Sequence, residues 1–259
     1  MAGFHFIKNK IEHLKMKHLT TTLLGLLIMG CLTSQKNHKI NGNGHQVTLE
    51  RTTKDYDEIA ISGFFDVALV EGKEGMITLK GEQNILDHIT TEVHGNKLTI
   101  KIKNGYHLKP SSWRKGVSIT IPVESISALS LSGSGDIVGE TTLVADNFET
   151  TMSGSGDISL ALDVKSLKAS ISGSGDMVLS GETRDFDVSI SGSGDIDAYD
   201  LIADNVDASV SGSANVKVTA NRGINARVSG SGDIDYRGNP EKISTKVSGS
   251  GDITKVSFK

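Results

Sequence analysis

The sequence is poor in the residues that stiffen or staple a conventional globular domain. Its 259 residues include three prolines and one cysteine, and aromatics make up 5% of the chain. A single cysteine closes no internal disulfide, so the fold is not stapled. So few aromatic rings argue against an ordinary sandwich core. No apolar run reaches the roughly 20 residues that a membrane-spanning helix needs; residues 19–30 supply about 12, too short a stretch to be a permanent anchor. Positive charge is also scarce. The formal net charge is −4, with 27 basic and 31 acidic residues. Without residues 1–30, which hold Lys8, Lys10, Lys15, Lys17 and Glu12, 23 basic residues face 30 acidic ones, a net charge of −7. That sign argues against a nucleic-acid partner. The length suits one elongated β domain or two small ones.

What is present begins with an address. Lys15, Lys17 and His18 precede the apolar run, whose core is Leu23-Leu24-Gly25-Leu26-Leu27-Ile28-Met29, and the run ends Gly30-Cys31. A basic flank, a short apolar core and a small residue before cysteine resemble a bacterial lipobox. Residues 1–30 are therefore expected to be a lipoprotein signal peptide, with Met16 an alternative start, and Cys31 the lipid-attachment residue. Several acyl chains would anchor the protein stably to a membrane. Residues 31–46 are polar and rich in Asn and Gly, and are expected to be a flexible tether. No acidic cluster follows Cys31. The expected location is thus the cell envelope, lipid-anchored at the outer membrane, on its periplasmic face rather than the cell surface.

Residues 47–128 carry short strand signals of period two: Phe65, Val67 and Leu69; Ile77 and Leu79; Leu98, Ile100 and Ile102; Val117, Ile119, Ile121 and Val123. Residues 85–91 fit a helical turn or a further extended piece. His88, His94, His107, Tyr106 and Trp113 lie here, but no His pair has metal-ligand spacing with a carboxylate. They are read as strand ends and loops. The lysines of 97–103 are read as a wet strand face or edge protection.

Residues 129–259 repeat. Ser-Gly-Ser-Gly-Asp begins at Ser132, Ser153, Ser172, Ser191, Ser229 and Ser248, with a degenerate copy from Ser211 to Asn215. The intervals are 21, 19, 19, 20, 18 and 19 residues. An aliphatic residue or methionine precedes each copy (Leu131, Met152, Ile171, Ile190, Val210, Val228, Val247). Another follows it (Ile137, Ile158, Met177, Ile196, Val216, Ile234, Ile253). A fixed period near twenty with turn chemistry marks a solenoid. The leucine-dense consensus of leucine-rich repeats is missing, and helical repeats are longer and poorer in glycine. A parallel β-helix remains, with one strand-turn-strand coil per repeat. Seven coils at about 4.8 Å each make a rod of about 34 Å.

The motif has two roles to weigh. Glycine permits positive φ at a sharp bend, which assigns a turn role to Gly133, Gly135, Gly154, Gly156, Gly173, Gly175, Gly192, Gly194, Gly230, Gly232, Gly249 and Gly251. Stacking also aligns Asp136, Asp157, Asp176, Asp195, Asp233 and Asp252. That row is either a cation ladder, most plausibly for calcium, or a set of hydrogen-bonded turns. Asn215 favours turns, because it keeps the acceptor oxygen and loses the charge. No catalytic residue, cofactor or metal is assigned.

The Ser-Gly-Ser-Gly-Asp ladder, with Ile61-Ser62-Gly63-Phe64-Phe65-Asp66-Val67 and Gly95-Asn96-Lys97-Leu98-Thr99-Ile100, resembles the auto-transporter adhesin head family, or GIN domain, over about residues 50–259. The resemblance implies an all-β, right-handed parallel β-helix of about 19 residues per coil, with residues 47–128 stacked on it or capping it, behind a lipoprotein or secretion signal. The leading expectation is a noncatalytic envelope lipoprotein that presents its surface for adhesion or partner binding. A glycan-binding or glycan-cleaving β-helix and a structural scaffold are the alternatives. The partner is an unknown protein or glycan. The final coil is expected to be covered by its own last residues or by a neighbouring subunit.

Overall fold

The structure, a computed structural model, describes residues 38–112 and 116–257. Cys31 and the apolar run before it, Trp113, and residues 258–259 lie outside the described residues. Alternating apolar residues give strands along almost the whole described chain, stacked as a β-solenoid of about seven turns about 19 residues apart. The inward positions of the repeats fall into register as the sequence pattern requires. One column runs Leu131, Met152, Ile171, Ile190, Val210, Val228, Val247. A second runs Ile137, Ile158, Met177, Ile196, Val216, Ile234, Ile253. All pairings among the repeats are parallel, and each coil hands its backbone hydrogen bonds to its neighbours.

The strands of the repeat body are β10 (Ala128–Gly133), β11 (Ile137–Gly154), β12 (Ile158–Gly173), β13 (Met177–Gly192), β14 (Ile196–Gly212), β15 (Asn215–Gly230), β16 (Asp233–Arg237), β17 (Lys242–Gly249) and β18 (Ile253–Lys255). A whole coil is thus one long bent strand between two Ser-Gly-Ser-Gly-Asp corners. The inside–outside alternation slips once more in each coil. In β12, Lys165 and Ser166 both lie outside the core, between buried Val164 and Leu167.

The N-terminal part is continuous with this stack. It comprises β1 (His38–Asn41), β2 (Gln46–Thr52), β3 (Glu58–Gly63), β4 (Asp66–Glu71), β5 (Met76–Glu82), α1 (Gln83–Leu86), β6 (Ile89–His94), β7 (Lys97–Ile102), β8 (Tyr106–Lys109) and β9 (Ser118–Val123). β3 pairs in parallel with β10, and β4 with β11. Ser62 and Gly63 sit opposite Ser132 and Gly133, and Val67 opposite Ile137. Ser62-Gly63-Phe64-Phe65-Asp66 is therefore a further corner of the same solenoid. Chain order and stacking order differ here. β7 and β9 lie beyond β3 and β4, so the chain runs outward to the end of the stack and then returns to start the repeats. Antiparallel pairs (β2–β5, β5–β9, β6–β7) appear only in this part of the described chain.

Three expectations change. The tether does not reach residue 46: β1 pairs with β8, and β2 starts at Gln46. Asn84 of α1 holds this segment: the Asn43 backbone N–H donates to Asn84 Oδ1 at 3.1 Å and Asn84 Nδ2 donates to the Asn41 carbonyl at 2.7 Å. Residues 85–91 are divided between the end of α1 and the start of β6. The lysines of β7 lie on the wet face of an interior strand, paired with β3 and β6, so edge protection is not their role.

Candidate functional site

The corner motif builds the most regular feature on the molecule. At each corner the backbone N–H after the first glycine donates to the first glycine of the coil before. Ser155 N reaches the Gly133 carbonyl at 2.9 Å, Ser174 N the Gly154 carbonyl at 2.9 Å, and Ser193 N the Gly173 carbonyl at 2.9 Å. Close stacking requires both glycines of each motif (a Cβ on Gly154 would lie 2.0 Å from the Gly133 carbonyl oxygen), and backbone conformation further requires the first. The first has positive φ (Gly133 +135°, Gly154 +138°, Gly173 +146°), as the turn reading expected. The second is absent from the positive-φ residues, which corrects that reading for Gly135, Gly156, Gly175, Gly194, Gly232 and Gly251. Its need is close stacking: a Cβ on Gly175 would lie 1.9 Å from the Gly156 carbonyl oxygen. The degenerate copy carries Ala214 at this position, and there the next strand resumes one residue early, at Asn215.

The aspartate row is a backbone ladder. Asp136 Oδ1 accepts the N–H of Asp157 at 3.2 Å, and Asp157 Oδ1 that of Asp176 at 3.1 Å. Asp176 Oδ1 accepts Asp195 at 2.9 Å, and Asp233 Oδ1 accepts Asp252 at 2.8 Å. Asn215 enters through both its backbone N–H (2.8 Å) and its Nδ2 (3.1 Å), each donated to Asp195 Oδ1. In each of these links one carboxylate oxygen satisfies an amide of the next coil, as the turn reading requires. The row breaks after Asn215, whose oxygen the next coil does not use, since the Asp233 N–H bonds the Ala214 carbonyl at 3.2 Å. Asp66 begins the row. Its pKa is raised, first by burial and then by the charge of Asp136. The serines and aspartates of the motif are exposed, so the corner presents parallel rows of hydroxyls and carboxylates.

A second set of rows lies past the other bend of the coil. Asp187, Asp207, Asn225 and Ser244 align, as do Ser166, Asp185, Asn205 and Gly223. Asn205 Nδ2 donates to Asp185 Oδ1 at 2.9 Å, Asn225 Nδ2 to Asp207 Oδ2 at 2.6 Å, and Arg227 Nη1 to Asp207 Oδ1 at 3.0 Å. Arg184 and Asn205 hold the Asp185 pKa below its usual value through hydrogen bonds. The eight aligned residues line an open groove of about 700 Å³. Elsewhere the Arg237 guanidinium stacks 3.7 Å from the Tyr199 ring centre, a cation–π contact. Burial is the main cause that raises the Tyr199 pKa, with Asp235 adding to it. No sequence signal singled out either cluster: both depend on register between coils and on side chains outside the motif.

The histidines stay apart from these surfaces. His88 Nδ1 lies 2.9 Å from the Asn84 carbonyl and its ring packs on Tyr106, while His94 and His107 are exposed. Among the described residues no group of three or more His, Cys, Asp or Glu is placed to hold a metal ion, and no helix is long and apolar enough to cross a membrane.

Comparison with known proteins places this geometry. The family described as "Putative auto-transporter adhesin, head GIN domain" matches residues 55–240. The chain belongs to this family. A protein of Bacteroides fragilis NCTC 9343, described as a "putative adhesin", is similar in structure with a TM-score of 0.79 and 26% identity, covering 84% of this chain and 100% of its own. A "putative lipid binding protein" of Parabacteroides distasonis ATCC 8503 gives 0.70 and 28%, covering 84% and 99%. A "putative adhesin" of Parabacteroides merdae ATCC 43184, at 0.68 and 21% over 85% and 99%, shares the fold. No curated protein matches the chain.

Proposed function

We propose that this GIN-domain protein is a noncatalytic module of the cell envelope. It is held to the outer membrane by lipid on Cys31 and presents the outer rows of its solenoid for adhesion or partner binding. The observation that carries this reading is the spacing of those rows. The hydroxyls and carboxylates of the corner recur once per coil, about 4.8 Å apart, on a backbone that the glycine and aspartate ladders hold in register. A ruler of identical polar groups suits many weak contacts in parallel, which is how an adhesive surface gains strength.

The test has two arms. Mass spectrometry of the protein extracted from the envelope is expected to find acylated Cys31, and Cys31→Ser is expected to release the protein from the membrane fraction. A deletion strain is expected to attach less to surfaces or to lose a cross-linked envelope partner. Unmodified Cys31 together with unchanged attachment would defeat the reading.

A glycan partner is the second reading, favoured by the Asp/Asn groove. Paired carboxylates and amides, such as Asp207 with Asn225, are suited to sugar hydroxyls. Calorimetry of the full chain with neutral oligosaccharides is expected to give binding that Asp207→Ala weakens, and release of cleaved sugar would turn the reading toward an enzyme. The Parabacteroides distasonis relative raises a lipid ligand. Aliphatic columns fill the inside of this solenoid, so a lipid would have to bind on its outer faces.

A further inference from the structure

The two ends of the solenoid leave different strand edges. At the N-terminal end β6 is the outermost strand of the described sheet path. Arg51 caps the start of its edge: Nη1 donates to the Ile89 carbonyl and to Thr91 Oγ1, both at 2.8 Å, and Nη2 donates to the Leu86 carbonyl of α1 at 2.8 Å. A charged side chain on an edge carbonyl blocks strand addition.

At the other end β17 pairs with β15 on one side only, and among the described residues no strand pairs with its far edge. All eight of its residues are exposed. Ile243 and Val247 close two of the internal columns, yet they are 53% and 43% exposed. Their neighbours in the coil before, Ile224 and Val228, are 3% and 2% exposed. The described last residues do not cover β17: Val256 N bonds the Tyr236 carbonyl at 2.8 Å, so the described tail follows β16.

From this the geometry points to the free edge of β17 as an acceptor for an extended strand of a partner protein, with aliphatic side chains at alternate positions and acidic ones between. The inference rests on the binding-module reading and narrows it to one edge and one kind of partner. Main-chain pairing would supply the affinity, as in other strand-addition complexes. The aliphatic positions would cover Ile243 and Val247. The acidic ones follow from charge: residues 129–238 hold 17 acidic and 7 basic side chains, whereas residues 239–257 hold 2 and 3. Lys242 and Lys246 lie on the outer side of β17, either side of Ser244.

Two features disfavour a second copy of this chain. Lys255 occupies the inward register position that Val218 and Tyr236 hold in the coils before, so another stacked coil would bury a lysine. The opposite edge, which head-to-tail stacking would use, is the one whose start Arg51 caps. One added strand along β17 meets neither obstacle.

The probe is a fluorescein-labelled, end-blocked heptapeptide of alternating valine and glutamate, added to the full chain. Saturable binding is expected by anisotropy, with slower amide exchange at residues 242–249. Lys242→Glu with Lys246→Glu is expected to weaken binding at least tenfold and to shift preference to the valine–lysine peptide. These side chains are exposed, and an unchanged melting temperature checks the fold. Absence of saturable binding, protection outside β17, or indifference to the charge reversal would overturn the inference. So would far-edge amides of β17, those not bonded to β15, that are already protected in the peptide-free monomer or become protected as protein concentration rises, which would assign the edge to the chain itself or to self-association. If the peptide fails while the protein still attaches to its surface or partner, only this edge assignment falls; if attachment also fails, the broader reading falls with it.

Discussion

The N-terminal third and the repeat body solve the same problem by different means. Both stack parallel coils over aliphatic columns, and residues 58–69 and 128–139 share one register. The repeat body secures that register with a contact copied once per coil: glycine on glycine, aspartate to the next amide. The N-terminal part uses contacts that occur once. Arg51 binds three acceptors around α1 and β6, and the Tyr56 hydroxyl donates to the Pro122 carbonyl. Glu82, 1% exposed, accepts the backbone N–H groups of Gly44 and Ser111, both at 3.2 Å, and the Ser111 hydroxyl. Repetition is enough in the middle of a solenoid. An end has no next coil to bond, so each orphaned group there needs its own partner.

The largest effect should come from breaking a copied contact. Gly175→Val puts a Cβ 1.9 Å from the Gly156 carbonyl oxygen, and backbone cannot step aside without shifting the whole glycine column. A loss of about 4 kcal/mol or more is expected, read as a fall in unfolding midpoint in urea. The N-terminal counterpart is Gly95, in the turn between β6 and β7, with φ of +63° and open space where a Cβ would go. Gly95→Ala should cost only conformational strain, about 1 kcal/mol. Equal losses would mean that the glycine columns matter for turn shape alone.

Arg51→Ala tests a contact made once. It leaves the Leu86 and Ile89 carbonyls and Thr91 Oγ1 without their donor in a half-buried setting. A loss of about 2–3 kcal/mol is expected. Hydrogen exchange should localise it to β6 and α1 and leave the repeat amides unchanged. Uniform acceleration across β12 to β15 would show that the two parts unfold together.

This difference also sets what the sequence could reveal. The repeat strands, their register and the inward columns were legible, because each position is stated seven times and chance similarity averages out. Asn215 misled in the same place: the sequence reads it as an acceptor without the charge, yet it enters the row as a donor to Asp195, and the Asp233 N–H bonds the Ala214 carbonyl instead. In the N-terminal part each contact is stated once. Nothing marks Arg51, Tyr56 or Glu82 as clamps, since their partners lie 18–66 residues away and three of those partners are backbone carbonyls. Ser62-Gly63-Phe64-Phe65-Asp66 was visible as a family signature, yet Phe64 and Phe65 hid its kinship with the later corners. The return of the chain from β9 to β10 is a matter of topology, which period-two alternation does not encode. The groove around Asp207 and the open edge of β17 depend on which rows end beside which, and that follows only once coils are stacked.

A smaller effect of opposite sign lies where the repeat departs from its own rule. Thr150 takes the column position held by Leu129 before it and Ala169 after it. It is fully buried, and its hydroxyl has no hydrogen-bond partner among the described residues. Thr150→Val keeps the branched shape and removes an unpaired polar group. A gain of about 1 kcal/mol is expected, seen as a higher urea midpoint with an unchanged slope. A loss would mean that the hydroxyl is bonded, with a bridging water the first candidate.

The smallest effect sits at the junction of the two parts. Asp66 holds the first register position of the aspartate row, and burial together with Asp136 raises its pKa. A carboxyl whose folded pKa exceeds its unfolded value binds its proton more tightly in the folded state. Its ionisation therefore costs stability, and the cost grows as pH rises from the ordinary carboxylate range through the folded pKa. Asp66→Asn removes that cost and keeps an acceptor oxygen. Solvent screens the site, so the gain at neutral pH should be no more than about a few tenths of a kcal/mol. It should vanish near pH 3, where the parent carboxyl is itself protonated. Asp176→Asn, whose side-chain oxygen accepts the Asp195 amide at 2.9 Å, should be close to neutral at both pH values. Melting curves of the two variants at pH 7 and pH 3 separate the cases. An Asp66→Asn variant that is less stable than the parent at pH 7 would mean that the junction carboxylate is held by an attractive charge.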